Sequence, residues 1–203
     1  MKISNDICCD LCANDLKKFI NTNVGETEYC DSFTAPFLYD DIIREAMLNF
    51  KFNVKKNYCE SFCYFMKECD IFYCDIIICV PSFRRKSRYN TADLLAKRMS
   101  KFLNIKYERR AVKKVKETKL QHECDFKSRL LNLNDSFVAN EKLIKGKDIL
   151  ICDDIITSGS TIDEVAKACK KVGAKNVYAI AFAVSNGSFK NFSDLHKKFE
   201  IKF

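Results

Sequence analysis

The segment Cys152-Asp153-Asp154-Ile155-Ile156-Thr157-Ser158-Gly159-Ser160-Thr161 brings together groups that can hold a sugar phosphate. Backbone N–H groups of residues 158–161, at the start of a helix, can cradle a phosphate monoester. The hydroxyls of Thr157, Ser158, Ser160 and Thr161 add donors, and Gly159 lets the backbone approach the ligand closely. Asp153 and Asp154 offer only acceptors when ionised, which suits neighbouring sugar hydroxyls better than the phosphate itself. A ribose 5-phosphate meets all of these demands. The segment has no Gly-Lys-Ser/Thr of a P-loop, and its single Gly is too few for the dinucleotide fingerprint. The plainer alternative is a strand–helix turn with N-capping hydroxyls.

Such a loop needs a buried strand before it and a helix after it. Residues 147–152 form a short apolar run that predicts the strand, and residues 161–172 carry the helix. Asp163 and Glu164 in its first turn and Lys170 and Lys171 in its last complement the macrodipole, and Gly173 stands where a C-terminal cap belongs. Helices are also predicted over residues 40–50, 58–67, 91–103 and 126–133, from apolar residues recurring on one face. Continuous apolar runs predict further buried strands at 75–80 and 176–184, with another at 105–112 and a charged loop after it to about Cys124. Alternating strands and helices imply an α/β fold around a mostly parallel sheet, whose ligands bind at the carboxyl ends of the strands.

The 203 residues suit one medium domain with a small appendage, and a net charge of +8 is unevenly placed. Between Arg84 and Lys119 there are 14 Lys/Arg and three acids, a net +11, while the remainder of the chain is net −3. That block attracts polyanions, whether a pyrophosphate or a nucleic-acid backbone, unless it is simply a solvated lysine-rich face. The longest apolar run, at 177–184, is far short of the ~20 residues of a membrane span. The N-terminus lacks the apolar stretch of a secretory signal, so no membrane insertion is expected. The 12 cysteines therefore read as reduced thiols, mostly small core hydrophobes, with some available for metal.

The loop resembles the phosphoribosyl-pyrophosphate (PRPP) motif of type I phosphoribosyltransferases, and the rest of the chain narrows the likeness to the competence protein F family. The shared pieces run in order along most of the sequence: Cys9-x-x-Cys12, Pro36-Phe37-x-Tyr39, Phe50-Lys51-Phe52, Val80-Pro81-Ser82 and Tyr89-Asn90-x-Ala92 with Leu95-Ala96. Thr118-x-x-Gln121, Arg129-x-x-Asn132, Phe137 and the Asp-Asp loop complete them. Ser87-Arg88 stands where the family usually has Arg-Gly.

The resemblance implies a phosphoribosyltransferase-like domain over residues 36–203 behind a small cysteine module, zinc-ribbon-like, over residues 1–35. Asp153 and Asp154 would hold ribose hydroxyls and act in catalysis, and Thr157 to Thr161 would hold the 5-phosphate. A pyrophosphate loop would comprise Pro81, Ser82, Arg84, Arg85, Lys86 and Arg88, with Mg²⁺ bridging pyrophosphate oxygens. In the module, Cys9 and Cys12 form one zinc knuckle and Cys30 would begin a second, but Phe33 stands in the partner position. Cys8 or Asp31 is then the available fourth ligand, or the knuckle is degenerate and folds by packing.

Family members are associated with uptake of single-stranded DNA during natural transformation, in the cytoplasm, alongside other competence proteins such as a DNA helicase. On that reading Arg109, Arg110, Lys113, Lys114, Lys116 and Lys119 neutralise the DNA backbone. Phe83, Tyr89, Phe102 and Tyr107 offer stacking faces, with Tyr89 and Phe102 alternatively core residues. The alternatives are a working transferase, in which a basic loop over residues 113–124 excludes water from the site, and a relic fold kept as a scaffold. No acceptor-base pocket is legible in residues 1–74.

Overall fold

The computed structural model describes residues 23–52, 57–71, 73–82, 90–115 and 136–185. The strands are β1 (Asn23–Gly25), β2 (Ser32–Ala35), β3 (Phe37–Leu38), β4 (Ile76–Cys79), β5 (Lys106–Tyr107), β6 (Val112–Lys114), β7 (Phe137–Ala139), β8 (Asp148–Ile156) and β9 (Asn176–Val184). The helices are α1 (Asp41–Phe52), α2 (Asn57–Met66), α3 (Thr91–Leu103), the short α4 (Glu141–Ile144) and α5 (Ser160–Lys171). One sheet runs in the order β1-β2-β9-β8-β4-β5, with β3 also paired to β9, and only β1 is antiparallel to its neighbour. β6 and β7 form a separate antiparallel ribbon.

The centre of the sheet is apolar because both of its faces are covered. Alternate residues of β8 point to opposite faces. Leu150 and Cys152 join the core made with α1, α2 and α3, while Ile149 and Ile151 join the core made with α5 and the ribbon. In the first core Phe62 stacks on Phe182 with centroids 3.7 Å apart, and Phe50 and Tyr58 meet its ring edge-on. Asp40 caps α1 by accepting from the Ile43 N–H at 3.0 Å. α5 closes with Gly173 at φ 88°; the N–H groups of Gly173 and Ala174 donate to the carbonyls of Lys170 and Cys169, which is the Schellman arrangement.

Three expectations are corrected. The strand expected over 147–152 continues to Ile156 because β9 keeps pairing with it through Ile155 and Ile156, opposite Ala183 and Val184. The strand expected over 105–112 is two strands of different sheets. The polar run Glu108-Arg109-Arg110 turns between them, with the Ala111 N–H donating to the Glu108 carbonyl. The charged loop expected to follow begins later, since Lys113 and Lys114 lie in β6. β2 pairs in parallel with β9, which ties residues 32–34 to the main sheet. The helix expected over 126–133 lies outside the described residues.

Candidate ribose-phosphate site

β4 is paired with β8 as far as Cys79 opposite Cys152, and the Val80 N–H donates to the Cys152 carbonyl at 3.1 Å. β8 runs on past this point, so Asp153 and Asp154 emerge at the carboxyl edge of the sheet, where β4 no longer flanks them. Successive residues of a strand face opposite ways. Asp154 shares its side with Leu150 and Cys152, toward α1 and α3. There its Oδ2 accepts from Lys51 Nζ of α1 at 3.0 Å and from Thr91 Oγ1 of α3 at 2.5 Å. Asp153 Oδ1 accepts from the Asp154 N–H at 2.9 Å.

The two carboxyls differ electrostatically. Burial, reinforced by the charge of Asp154, pushes the Asp153 carboxyl up to about 8, while its hydrogen bond from the Asp154 amide and the nearby Lys51 work the other way. For Lys51, burial disfavours its charge, but Asp154 opposite outweighs that and raises the ammonium above its usual range. Asp154 therefore faces a lasting cation.

Beyond Ile156 the chain turns into α5. Gly159 stands at the N-cap with φ 72°, a left-handed conformation that side chains rarely adopt, and it brings no side chain to accept from the first-turn N–H groups. Those donors and the positive end of the helix dipole are left for an anion. The Ser158 and Ser160 hydroxyls lie 2.9 Å apart, beside the same turn. Asp163, in that first turn, accepts from Thr27 Oγ1 and, at 2.7 Å, from the Tyr29 N–H, tying the β1–β2 connection to α5.

The expected pyrophosphate loop is described at its ends only. Pro81 and Ser82 follow β4, and Asn90 returns to it: Asn90 Nδ2 donates to the Val80 carbonyl at 3.1 Å, while Asn90 Oδ1 caps α3 through the Ala92 N–H. Arg84, Arg85, Lys86 and Arg88 lie outside the described residues, as do Phe83 and Tyr89. On the same edge of the sheet, after β5, Arg109 pairs through Nε with Asp93 at 2.8 Å, and Tyr107 donates to that carboxylate at 2.6 Å. Burial, with Cys79 and Asp93 close by, raises the Tyr107 phenol. Arg110 and Lys113 are exposed, whereas Lys114 lies against the Phe137 ring with its ammonium 5.5 Å from the centroid, and burial lowers it. Lys116 and Lys119 are outside the described residues. Phe102 is partly buried against the core and carries Arg98 over its ring.

Two metals were expected. Mg²⁺ takes hard oxygen donors, and the carboxyl oxygens of Asp153 and Asp154 not taken by Lys51 and Thr91 are of that kind. Zinc needs thiolates. Of Cys9, Cys12 and Cys30 only Cys30 is described; it is fully buried, its thiol donates to the Ser32 carbonyl at 3.3 Å, and burial pushes it up to about 12. Among the described residues no group of three His, Cys, Asp or Glu side chains could hold a metal. No helix among them is long and apolar enough to cross a membrane.

Sequence reasoning missed Lys51 and Thr91 as site residues, and Asn90 as the clasp at the base of its loop. Phe50-Lys51-Phe52 did carry one signal, a lysine held between two aromatic residues at the end of an amphipathic helix.

Known proteins resemble this chain. It is 35% identical to Competence protein F of Haemophilus influenzae over 108 residues, 51% of this chain and 47% of that protein. It is 33% identical to DNA utilization protein YhgH of Escherichia coli O6:H1 over 106 residues, 51% of this chain and 46% of that protein. The chain thus spans about half the length of the curated relatives it matches. Among solved structures, adenine phosphoribosyltransferase from Thermoanaerobacter pseudethanolicus is similar at a TM-score of 0.43 and 15% identity, over 85% of this chain and 99% of that one. The family described as phosphoribosyl transferase domain matches residues 75–202. That stretch starts just ahead of β4 and takes in the aspartate strand, the glycine turn and α5, and the chain belongs to the phosphoribosyl transferase domain family.

Proposed function

We propose that this chain is a DNA-utilization protein that binds PRPP at the carboxyl edge of its sheet and engages single-stranded DNA through the adjoining basic face. The observation that carries the reading is the Gly159 turn. It leaves the first-turn N–H groups of α5 to an anion, with the Ser158 and Ser160 hydroxyls beside it and two aspartates one strand-end away. Phosphate at the helix and sugar hydroxyls at the carboxylates is the polarity a ribose 5-phosphate requires. Mg²⁺ arriving with PRPP would neutralise the diphosphate. The names of the relatives supply the link to DNA, and Arg110, exposed after β5, with Lys113, exposed on the β6–β7 ribbon, supplies charge for its backbone.

Calorimetry of the chain with PRPP and Mg²⁺ tests the first half. Wild type should bind, and Ser158→Ala combined with Thr157→Val should weaken binding about tenfold by removing two hydroxyl donors. An absence of heat in wild type would overturn the reading. Titration with a fluorescent oligonucleotide tests the second half. Affinity should fall steeply with salt and depend little on sequence, and Arg110→Ala with Lys113→Ala should flatten the log–log salt slope by about 1.4, at ~0.7 per neutralised phosphate. No binding at low salt would remove DNA from the function.

A second reading, transfer of ribose 5-phosphate from PRPP to a base or amine, is favoured by the position of Asp153 and Asp154. Carboxylates beside the sugar stabilise positive charge developing at C1 as diphosphate leaves. Pyrophosphate release in the presence of a panel of nucleobases and amines tests it, and inactivity with every acceptor would remove it.

A further inference from the structure

Asp154 does not face the sugar alone. Its Oδ2 is held by two donors from different elements, the Lys51 ammonium at 3.0 Å and the Thr91 hydroxyl at 2.5 Å. Lys51 belongs to α1, which lies ahead of residues 75–202, the part matched by the phosphoribosyl transferase domain. The charge at Asp154 is therefore brought to the domain from outside the segment that defines it. The Lys51 side chain is about one-third exposed and that of Asp154 is 13% exposed, so the pair sits at the mouth of the site and solvent screens it only in part.

The Asp154 carboxylate beside an anionic sugar phosphate creates a local excess of negative charge. A ligand carrying phosphates can enter only if a cation offsets that excess, and a divalent ion arriving with the diphosphate is one way to supply it. An ammonium already fixed on one carboxylate is another. It occupies an oxygen that would otherwise be open to a metal, and it repels a second cation from that position.

We infer that Lys51 is a built-in counter-cation of the ribose-phosphate site, standing on Asp154 where a divalent ion would otherwise have to offset that carboxylate. The inference rests on the ribose-phosphate reading of the site. It assigns Lys51 a positioning and charge-balancing role, so PRPP binding by this chain should depend less on Mg²⁺ than it would with a neutral residue in α1. Thr91 holds the same oxygen without charge, so it fixes the direction of the carboxylate and leaves the charge balance to Lys51.

The test is calorimetric titration of the whole chain with PRPP, once in excess Mg²⁺ and once in EDTA, reading the ratio of the two dissociation constants. Lys51→Met should widen that ratio about tenfold relative to wild type, chiefly by weakening binding in EDTA, and Lys51→Arg should restore the wild-type ratio. A merely structural lysine would weaken binding by the same factor in both buffers, and an unchanged ratio overturns the inference. Lys51→Gln keeps a donor to Asp154 without the charge and is measured alongside, with thermal melts of each variant. If Lys51→Met does not fold, the ratio for Lys51→Gln decides. Wild type that binds PRPP in neither buffer overturns the ribose-phosphate reading itself, a result distinct from binding with an unaltered ratio.

Discussion

Asp153 holds its proton against the tendency of an ordinary carboxyl because burial and Asp154 both oppose its charge. Its folded pKa is raised to about 8 from an unfolded value near 3.8, so the folded chain binds more protons than the unfolded chain across that window. Stability contributed by this group therefore falls as pH rises from about 4 to about 8. Asp153→Asn removes the titration, and it should stabilise the protein by a few degrees of melting temperature at pH 8 and by much less at pH 5. Melting curves at the two pH values check this; equal gains at both would mean that the proton is not on Asp153.

At the scale of elements, α5 is fixed at both ends. Its far end closes on Gly173, and its near end is tied to the β1–β2 connection by Asp163, which accepts from Thr27 and the Tyr29 N–H. Asp163→Ala would leave those donors without their carboxylate and take an acid from the positive end of the helix. Stability should fall by about 1–3 kcal/mol, read by urea unfolding. Both ends of α5 were legible in the sequence, because Asp163, Lys170, Lys171 and Gly173 report on the helix's own electrostatics and backbone. The end of β8 was not legible: Asp153 and Asp154 interrupt the apolar run, and it is pairing with distant β9 that carries the strand to Ile156. The contacts of Lys51 and Thr91 with Asp154 were hidden for the same reason. Periodicity shows which face a residue occupies and is silent on which remote element meets it. Residues 105–112 misled differently, since their apolar ends masked a charged turn.

For the molecule as a whole, the aromatic cluster around Phe62 joins α1 and α2 to β9 on the face of the sheet that also carries Asp154's partners. Phe62→Ala should cost about 3–5 kcal/mol through lost burial and the cavity left between Phe50, Tyr58 and Phe182. The loss should appear as one cooperative shift in the denaturant midpoint with the slope unchanged. A changed slope would mean that this face of the sheet unfolds separately from the other.

The clasp of Asn90 on Val80 also bears on how this fold can vary. Because Val80 and Asn90 meet at a common stem, the chain between them begins and ends at one address beside the aspartates, whatever its length. Closing a loop grows costlier only slowly, by ~0.6 kcal/mol per doubling of its length. Grafting a longer segment onto that stem should therefore leave the melting temperature almost unmoved, provided Asn90 is kept. The stem is a socket at which new specificities can be tried without rebuilding the rest of the protein.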